Sequence, residues 1–159
     1  MSRLELVRDF VNTADLEGGE DSLAEWLRAH DADSTPRAVR DARAVREALR
    51  TLALANNGVD VDAAGAAVVL DAAARRRGVG FRFGSGGFAS EDHVGAILAA
   101  ASAAMAAGEW ERLKACRSDT CRWAFVDTAR NRSRRWCAMA VCGNRAKARA
   151  YRRRQIAST

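Results

Sequence analysis

Long apolar runs are missing from this sequence. No stretch of 18 consecutive apolar residues occurs, and no basic segment followed by a hydrophobic one stands at its start. A membrane-spanning helix needs about 20 apolar residues, and a secretory signal needs that basic-then-apolar order. We therefore expect no membrane contact and no secretory signal, and we expect the protein to act in the cytoplasm.

Histidine is also scarce. His30 and His93 are the only histidines, and neither lies near a cysteine or an obvious nucleophile in the sequence. Each falls at the end of a predicted helix, where a surface position is the simplest interpretation. Since the sequence offers no other arrangement of a nucleophile and a base, we expect a protein that is not an enzyme.

Acidic residues nearly disappear after Glu111. Residues 1–111 hold 12 arginines and 18 acidic residues, a net charge of −6, whereas residues 112–159 hold 12 arginines, two lysines and two aspartates, a net charge of +12. Arginine outnumbers lysine 24 to 2, as a GC-rich genome would produce, but such a bias acts along the whole chain. It does not explain the local loss of acidic residues, so the basic segment indicates a nucleic-acid partner.

Apolar residues recur at helical spacing through most of residues 1–108. This periodicity, with start and stop signals at each segment, predicts five helices. They cover "LELVRDFVNT", the residues after Ser22, about 20 residues from Thr35 and Pro36 to an Asn-Gly pair, Asp62–Arg77 and about Ser90–Ala107. Ser22 and Glu25 have the spacing of a capping box. The arginines of the third helix fall largely between its apolar positions, so we expect them on a solvated face beside Asp and Glu.

One β-hairpin interrupts this helical pattern. "VGFRFGSGGFAS" alternates Val79, Phe81 and Phe83 before a glycine-rich turn, which is typical of two short antiparallel strands. We therefore predict a mainly α fold with little β: residues 1–108 form a helical domain with one hairpin, and residues 109–159 form a second module that packs directly onto it.

All four cysteines fall in this second module. Cys116, Cys121, Cys137 and Cys142 have the spacing C-x4-C-x15-C-x4-C. Two close pairs separated by a medium loop are what a tetrahedral four-cysteine zinc site requires, and a closed set of four thiolates indicates structural rather than catalytic zinc. Two disulfides, or four small buried side chains, are the alternatives; a reducing cytoplasm disfavours the disulfides.

The segments around the cysteines predict a treble-clef-like zinc finger. "WERLKAC" and "RWAFV" fit two short strands, and "CGNRAKARAYRRR" fits a helix that begins near Cys142. So few large apolar side chains occur here that the module could hardly fold unaided, whereas structural zinc contributes roughly 10 to 16 kcal/mol. We expect zinc to hold it together.

The predicted last helix carries a basic stripe. Its arginines recur at i, i+4, i+7 and i+8, and the loop "ARNRSRR" adds four more. Such surfaces grip phosphates, and arginine can read guanine in the major groove of double-stranded DNA. The candidate nucleic-acid contacts are Arg130, Arg132, Arg134, Arg135, Arg145, Lys147, Arg149, Arg152 and Arg153. Alternatively, some arginines, such as Arg117, Arg122 and Arg135, neutralise the thiolates and donate to sulfur.

The stretch "CRSDTCRWAFVDTARNRSRRWCAMAVCGNRAKARAYRRR" resembles the CGNR zinc-finger family, whose motif here runs from Cys142 to Arg145. Upstream, "LELVRDFVNT" with Trp26 beyond it resembles the start of the ABATE domain that usually precedes this finger. The resemblance implies a bacterial, stress-induced transcriptional regulator in which the four cysteines are the zinc ligands. Ala129 and Ala138 stand where members of the family commonly have serine.

Other functions stay open at this point. We expect the N-terminal domain to bind a small-molecule effector, or to form a homodimer, and thereby to adjust DNA binding; Asp9, Asn12 and Thr13 are candidate ligand contacts, although helix capping also explains them. RNA is an alternative partner, with Trp123, Trp136 and Tyr151 stacking on bases or else packing the finger. A third interpretation is a redox sensor in which oxidation of the cysteines expels zinc.

Overall fold

The structure is a computed structural model that describes residues 1–157. Its helices are α1 (Arg3–Val11), α2 (Leu23–Ala29), α3 (Pro36–Asn56), α4 (Ala63–Arg76), α5 (His93–Ala106) and α6 (Asn144–Ala157). Its strands are β1 (Ala14–Asp15), β2 (Glu20–Asp21), β3 (Gly80–Arg82), β4 (Gly87–Ala89), β5 (Leu113–Ala115) and β6 (Ala124–Val126). This confirms the mainly α fold with little β. Within residues 1–157, no helix combines the length and the apolar character needed to cross a membrane.

Helix α3 forms as its sequence signals predict. Thr35 is the N-cap and accepts a hydrogen bond from the amide of Ala38 at 3.3 Å, Pro36 occupies the first helical position, and the helix ends before Asn57. The threonine hydroxyl satisfies an amide that the first turn would otherwise leave unpaired, and proline has no amide to lose there. This 21-residue helix is the longest element of the described chain.

The capping box forms at a different serine from the one predicted. At the start of α1, Ser2 Oγ accepts from the Glu5 amide at 3.2 Å, and the Ser2 amide donates to the Glu5 carboxylate at 2.7 Å. The prediction for Ser22 and Glu25 is wrong, because Ser22 Oγ donates instead to the carbonyl of Thr13 at 3.1 Å. The cause is tertiary: strand β2 brings Ser22 beside the end of α1.

Three two-stranded antiparallel ladders connect the helices. The predicted hairpin forms between β3 and β4, with Phe81 opposite Phe88, and its aromatic rings face solvent. A minimal pairing of β1 with β2 adds a second hairpin to the one predicted. The third ladder, β5 with β6, pairs Lys114 with Phe125 and forms the start of the C-terminal module.

One hydrophobic core includes residues from both halves of the chain. Its largest fully buried side chains in the helical part of the chain include Phe10, Leu49 and Ile97, from α1, α3 and α5. Leu113 and Ala115 of β5 and Ala124 of β6 belong to the same core. Since the β5–β6 ladder completes this core, it anchors the C-terminal module on α1 and α3.

Two arginines of α3 are buried, which corrects the prediction of a solvated face. Arg46 and Arg50 are each only 3% exposed. Arg46 donates to the two carboxylate oxygens of Asp21 at 2.7 and 3.0 Å and to Glu47 at 2.7 Å. Arg46 pairs with Asp21 of β2, and Arg50 donates to the carbonyls of Val11 and Arg122, so the sequence of α3 by itself could not reveal the burial.

The Asp21 carboxylate stabilises the fold through its pair with the buried Arg46. The hydrogen bonds from Arg46 lower the pKa of Asp21 to about 2. A pKa depressed below its unfolded value of about 3.9 contributes stability that is present above that value and is lost as the pH falls towards 2.

We predict that Asp21→Asn lowers the free energy of unfolding at pH 7 by about 2 kcal/mol, because it leaves the Arg46 guanidinium buried without its main anionic partner. Urea unfolding followed by circular dichroism measures the change. The control is Glu20→Gln, an exposed neighbour on β2 that should change stability by less than about 0.5 kcal/mol. Equal losses in the two variants would contradict the role of the Asp21–Arg46 pair.

Candidate metal centre and nucleic-acid interface

The four cysteines meet at one point of the structure. Their sulfur atoms all lie within 4.8 Å of one another, with Cys121 and Cys137 3.6 Å apart and Cys137 and Cys142 3.8 Å apart. Four sulfurs at about 2.3 Å from one zinc ion in a tetrahedron would be about 3.8 Å from each other. The donor set therefore fits a closed four-sulfur metal site, and none of the four is in a disulfide.

Short backbone turns bring these sulfurs together. The Cys116 amide donates to the Trp123 carbonyl at 2.9 Å. The Cys121 amide donates to the Ser118 carbonyl at 3.0 Å, which closes the turn between the first two cysteines. A π-helical turn, Met139–Gly143, carries Cys142 into the start of α6. A Cβ at Gly143 would come within 2.4 Å of the Met139 sulfur, so a larger residue there would require the Met139 side chain to move. Three of the four cysteines are buried, and the fourth is half-buried.

The thiols differ in how readily they ionise without a metal. Burial raises the pKa of Cys142 to about 11 and also raises the pKa of Cys137, which additionally shares a hydrogen bond with Cys121. For Cys116 burial acts in the same direction, yet hydrogen bonds from the backbone of Cys137 and Ser118 lower its pKa overall. A divalent cation would remove this penalty, since metal binding displaces protons from crowded thiols.

The chain belongs to the ABATE family. The model of that family, described as "Putative stress-induced transcription regulator", matches residues 4–110, more than half of the chain. The model of the CGNR zinc finger matches residues 112–155, which include all four cysteines. Both matches agree with the resemblance found in the sequence. Among curated proteins, none matches the chain significantly.

Helix α6 of the CGNR finger is exposed along its length. It packs mainly on the π-helical turn that precedes it. The candidate nucleic-acid contacts on α6 are all exposed, namely Arg145, Lys147, Arg149, Arg152 and Arg153. Arg145 forms an ion pair with Glu17, in the turn between β1 and β2. Most of residues 144–156 is exposed to solvent, so the surface of α6 is accessible to a partner.

The loop between β6 and the second cysteine pair holds the other candidate cations. Arg130 is exposed, Arg132 pairs with Glu111 at 2.6 Å, and Arg134 donates to the Cys137 carbonyl at 2.7 Å. The guanidinium of Arg134 also lies 4.8 Å from the centre of the Phe125 ring. The loop and α6 are thus connected through the metal site, although their contacts with nucleic acid stay a prediction.

Two of the three arginines expected to donate to sulfur make other contacts. Arg117 donates to the Asn57 carbonyl at 2.7 Å, and Arg122 pairs with Asp119. In residues 1–157, no arginine side chain has a hydrogen bond to a cysteine sulfur. Trp136 instead packs against the cysteine cluster, as expected of an aromatic residue in a small finger core.

Polar side chains of the ABATE domain hold the finger in place. Asn57, directly after α3, donates to the carbonyls of Ala115 at 2.7 Å and Arg135 at 2.9 Å. Arg50 donates to the carbonyl of Arg122, between the first cysteine pair and β6, at 2.9 Å. Because these donors are buried, losing them would leave unpaired carbonyls in the interface. The orientation of the finger is therefore fixed by specific hydrogen bonds as well as by apolar packing.

The candidate ligand contacts lie at the same boundary. Asn12 exchanges two hydrogen bonds with the backbone of Ala124, at 2.8 and 2.9 Å, and the buried Thr13 donates to the Phe10 carbonyl at 2.9 Å. Asp9 pairs with Arg8 and lines an open cleft of about 700 Å³ between α1 and β6. Asn12 and Thr13 thus have structural contacts, and ligand binding stays a prediction for this cleft.

The two histidines lie closer together than their sequence positions suggest. His30 follows α2 and stacks on Trp26, with ring centres 4.0 Å apart, and His93 begins α5 with its ring centre 6.0 Å from that of His30. His30 is half-buried and its Nδ1 lies 2.8 Å from the Trp26 carbonyl, whereas His93 is exposed. Their placement at helix ends agrees with the sequence analysis, and their proximity was not anticipated.

A buried ion pair in the finger was missed by the sequence analysis. The amine of Lys114 on β5 lies 2.8 Å from the carboxylate of Asp127, whose side chain is fully buried. Asp127 also accepts from the amides of Ala129 and Arg134, both at 3.0 Å. Burial opposes ionisation of this carboxyl, but these donors, led by Lys114, hold its pKa below the ordinary value. Asp127 thereby fixes both ends of the arginine-rich loop.

We predict that Asp127→Asn destabilises the CGNR finger by about 3–5 kcal/mol, because it leaves the Lys114 ammonium buried without a counterion. The arginine-rich loop should lose order at the same time. Hydrogen exchange of the Ala129 and Arg134 amides, with urea unfolding, measures both effects. The matched control is Asp119→Asn, since Asp119 is the other acidic residue after Glu111 and its side chain is 88% exposed. Native protection of both amides in the Asp127 variant would contradict this role.

Proposed function

We propose that this protein is a zinc-dependent transcriptional regulator of the bacterial cytoplasm, with no enzymatic activity, whose CGNR finger binds double-stranded DNA. The observation that carries the proposal is a cluster of four cysteine sulfurs that joins an arginine-rich loop to an exposed, basic helix. The membership of the ABATE family, whose description names a transcription regulator, supports the same role.

Zinc is the ion that suits the donors best. Four soft thiolate ligands in tetrahedral arrangement favour Zn²⁺ or iron–sulfur chemistry over the hard, oxygen-seeking cations. With all four positions taken by Cys116, Cys121, Cys137 and Cys142, no open position is left for water or substrate, so the role of this zinc is structural. A finger with three buried cysteines and few large apolar residues takes its folding free energy from the metal.

The basic surface suits a DNA duplex. Helix α6 has 14 residues and is therefore about 21 Å long, and the major groove, about 12 Å wide, admits a helix. In residues 144–157 there is no acidic residue to repel phosphates. The loop would position the finger on the backbone, and the helix would contact base edges. The contacts proposed are Arg130, Arg132, Arg134, Arg135, Arg145, Lys147, Arg149, Arg152 and Arg153.

The ABATE domain is proposed to adjust this binding, through a small-molecule effector or through homodimer formation. The cleft between α1 and β6 supports effector binding, because it places Asp9 and Trp123 at the boundary with the finger. A ligand that moves α1 there would act on Asn12, whose side chain holds the backbone of Ala124. Any such shift of α1 would also move β6 and the turn between Cys116 and Cys121.

RNA binding is the second candidate function, and one observation favours it. Tyr151 is 58% exposed among the arginines of α6, where an aromatic ring could stack on an unpaired base. Trp136, by contrast, packs on the cysteines, and Trp123 lines the cleft. Only one of the three candidate aromatic residues thus stands on the basic surface.

The test measures binding to duplex DNA as a function of salt, with and without a zinc chelator. We expect one zinc per chain, and a slope of log K against log salt of roughly −5 if half a dozen phosphates are contacted, at about −0.9 for each. Chelation should abolish binding, because the finger unfolds. The proposal is refuted if the affinity for duplex DNA does not depend on salt, or if the metal-free protein binds DNA as tightly as the zinc-loaded protein. Tighter binding to structured RNA at matched salt would favour RNA instead.

Glu17 gives a sharper prediction for the same surface. Its carboxylate pairs with Arg145 at the start of α6 and must be displaced before a phosphate can take that position. Both side chains are about half exposed, so the pair contributes little free energy and is easily displaced. We therefore expect Glu17→Gln to strengthen duplex binding two- to fivefold at low salt.

The control for this variant is Glu20→Gln, on the same hairpin. Glu20 forms no ion pair within residues 1–157, so removing its charge tests the general electrostatic effect of one carboxylate. An equal gain in both variants would show that net charge, rather than competition for Arg145, determines the affinity.

A further inference from the structure

A recess lined by cations lies where the end of α3 meets the CGNR finger. Its volume is about 270 Å³, and no carboxylate lines it. Its cationic residues are Lys114, Arg117, Arg132, Arg134 and Arg135. Four other clefts of the described chain each have at least one aspartate or glutamate in their walls. We propose that this recess binds one phosphate group, held by the guanidinium groups of Arg117 and Arg135.

Three of the five cations already have partners. Lys114 forms the buried pair with Asp127, and Arg132 pairs with Glu111. Arg134 donates to a backbone carbonyl and lies over an aromatic ring. These three therefore add positive potential to the recess, but their own hydrogen-bonding groups are largely engaged.

The remaining two cations lack an anionic partner. Arg117 donates only to neutral acceptors, the carbonyls of Asn57 and Gly58. In the part of the chain that the structure describes, the guanidinium of Arg135 has no hydrogen bond and no ion pair. Two like charges at the wall of one recess repel each other unless an anion lies between them. An anion bound in the recess would therefore remove this unfavourable repulsion.

The two arginines are held next to each other by the backbone. The Arg117 amide donates to the Arg135 carbonyl at 3.2 Å, and the buried Asn57 donates to the same carbonyl at 2.9 Å. Gly58 has a φ of +68°, and a Cβ there would lie 2.8 Å from a guanidinium nitrogen of Arg117. Glycine thus allows the Arg117 side chain to lie against the end of α3. The backbone positions of both arginines are therefore fixed beside the recess, which reduces part of the ordering cost of binding.

Phosphate is the anion that this arrangement suits best. A guanidinium group presents a planar fork that matches two phosphate oxygens, and two forks can share the oxygens of one tetrahedral group. Ser133 lines the same recess and has a hydroxyl that could donate to a third oxygen. The phosphate can come from a DNA backbone, in which case the site rests on the proposed function, or from a free phosphorylated molecule.

The first experiment uses the full-length, zinc-loaded protein and inorganic phosphate as the probe. Phosphate is titrated against chloride at constant ionic strength, and the side-chain Nε–H signals of Arg117 and Arg135 are followed by NMR. We expect shifts that saturate with phosphate alone. Arg135→Gln should weaken phosphate binding at least tenfold, and Arg117→Lys, which keeps the charge but loses the fork, should weaken it several-fold with zinc content unchanged.

The matched control is Arg40→Gln, an exposed arginine on α3 that is not part of the recess. Its affinity for phosphate should equal that of the unmodified protein. The proposal is overturned if phosphate causes no saturable shift beyond that of chloride, or if the Arg135 and Arg40 variants bind phosphate equally well.

The second experiment identifies the source of the phosphate. If a DNA backbone phosphate occupies the recess, Arg135→Gln lowers the salt slope of duplex binding by about 0.9 relative to Arg40→Gln. If a free phosphorylated molecule is the ligand, the two variants keep the same slope while only Arg135→Gln loses phosphate binding. A protein that fails to bind any duplex would refute the proposed function, yet the phosphate titration would still decide whether the recess is a site.

Discussion

The crowding of four thiols into one small volume is the constraint on which the C-terminal module depends. Thiols that lie within 4.8 Å of each other cannot all ionise without a cation, and burial raises the pKa of two of them further. The same crowding is what allows a single dication to fix both cysteine pairs, the arginine-rich loop and the start of α6. Since α6 packs mainly on the turn that carries Cys142, its direction follows from the metal site.

The metal site is in turn coupled to the helical domain through polar contacts. Arg50 binds the backbone of Arg122, and Asn57 binds both Ala115 and Arg135. Each donor is buried on α3 or directly after it, so a shift of the finger would break several hydrogen bonds at once. This arrangement gives the ABATE domain a physical means to affect the finger that does not require a flexible linker.

Signals between residues close in sequence predicted the helices, the strands of the finger and the metal site. They did not predict contacts between residues far apart in sequence. The cysteine spacing and the start of α3 could be identified because each depends on residues close in sequence. The burial of Arg46 depends on Asp21, 25 positions away, and the burial of Arg50 depends partly on Arg122, 72 positions away. Asp127 did leave a signal, as one of two acidic residues after Glu111. Its partner Lys114 lies in a three-residue strand, too short for alternation to indicate burial.

The division of charge along the chain has a structural counterpart at the finger. Two of the nine candidate DNA contacts, Arg145 and Arg132, pair with Glu17 and Glu111, which belong to the acidic part of the chain. Exposed pairs of this kind contribute little free energy, so phosphates can replace the carboxylates without unfolding anything. If the finger binds DNA as proposed, each arginine released in this way would add one phosphate contact and steepen the dependence on salt. The carboxylates of Glu17 and Glu111 would then compete with DNA for two of the cations that the finger presents.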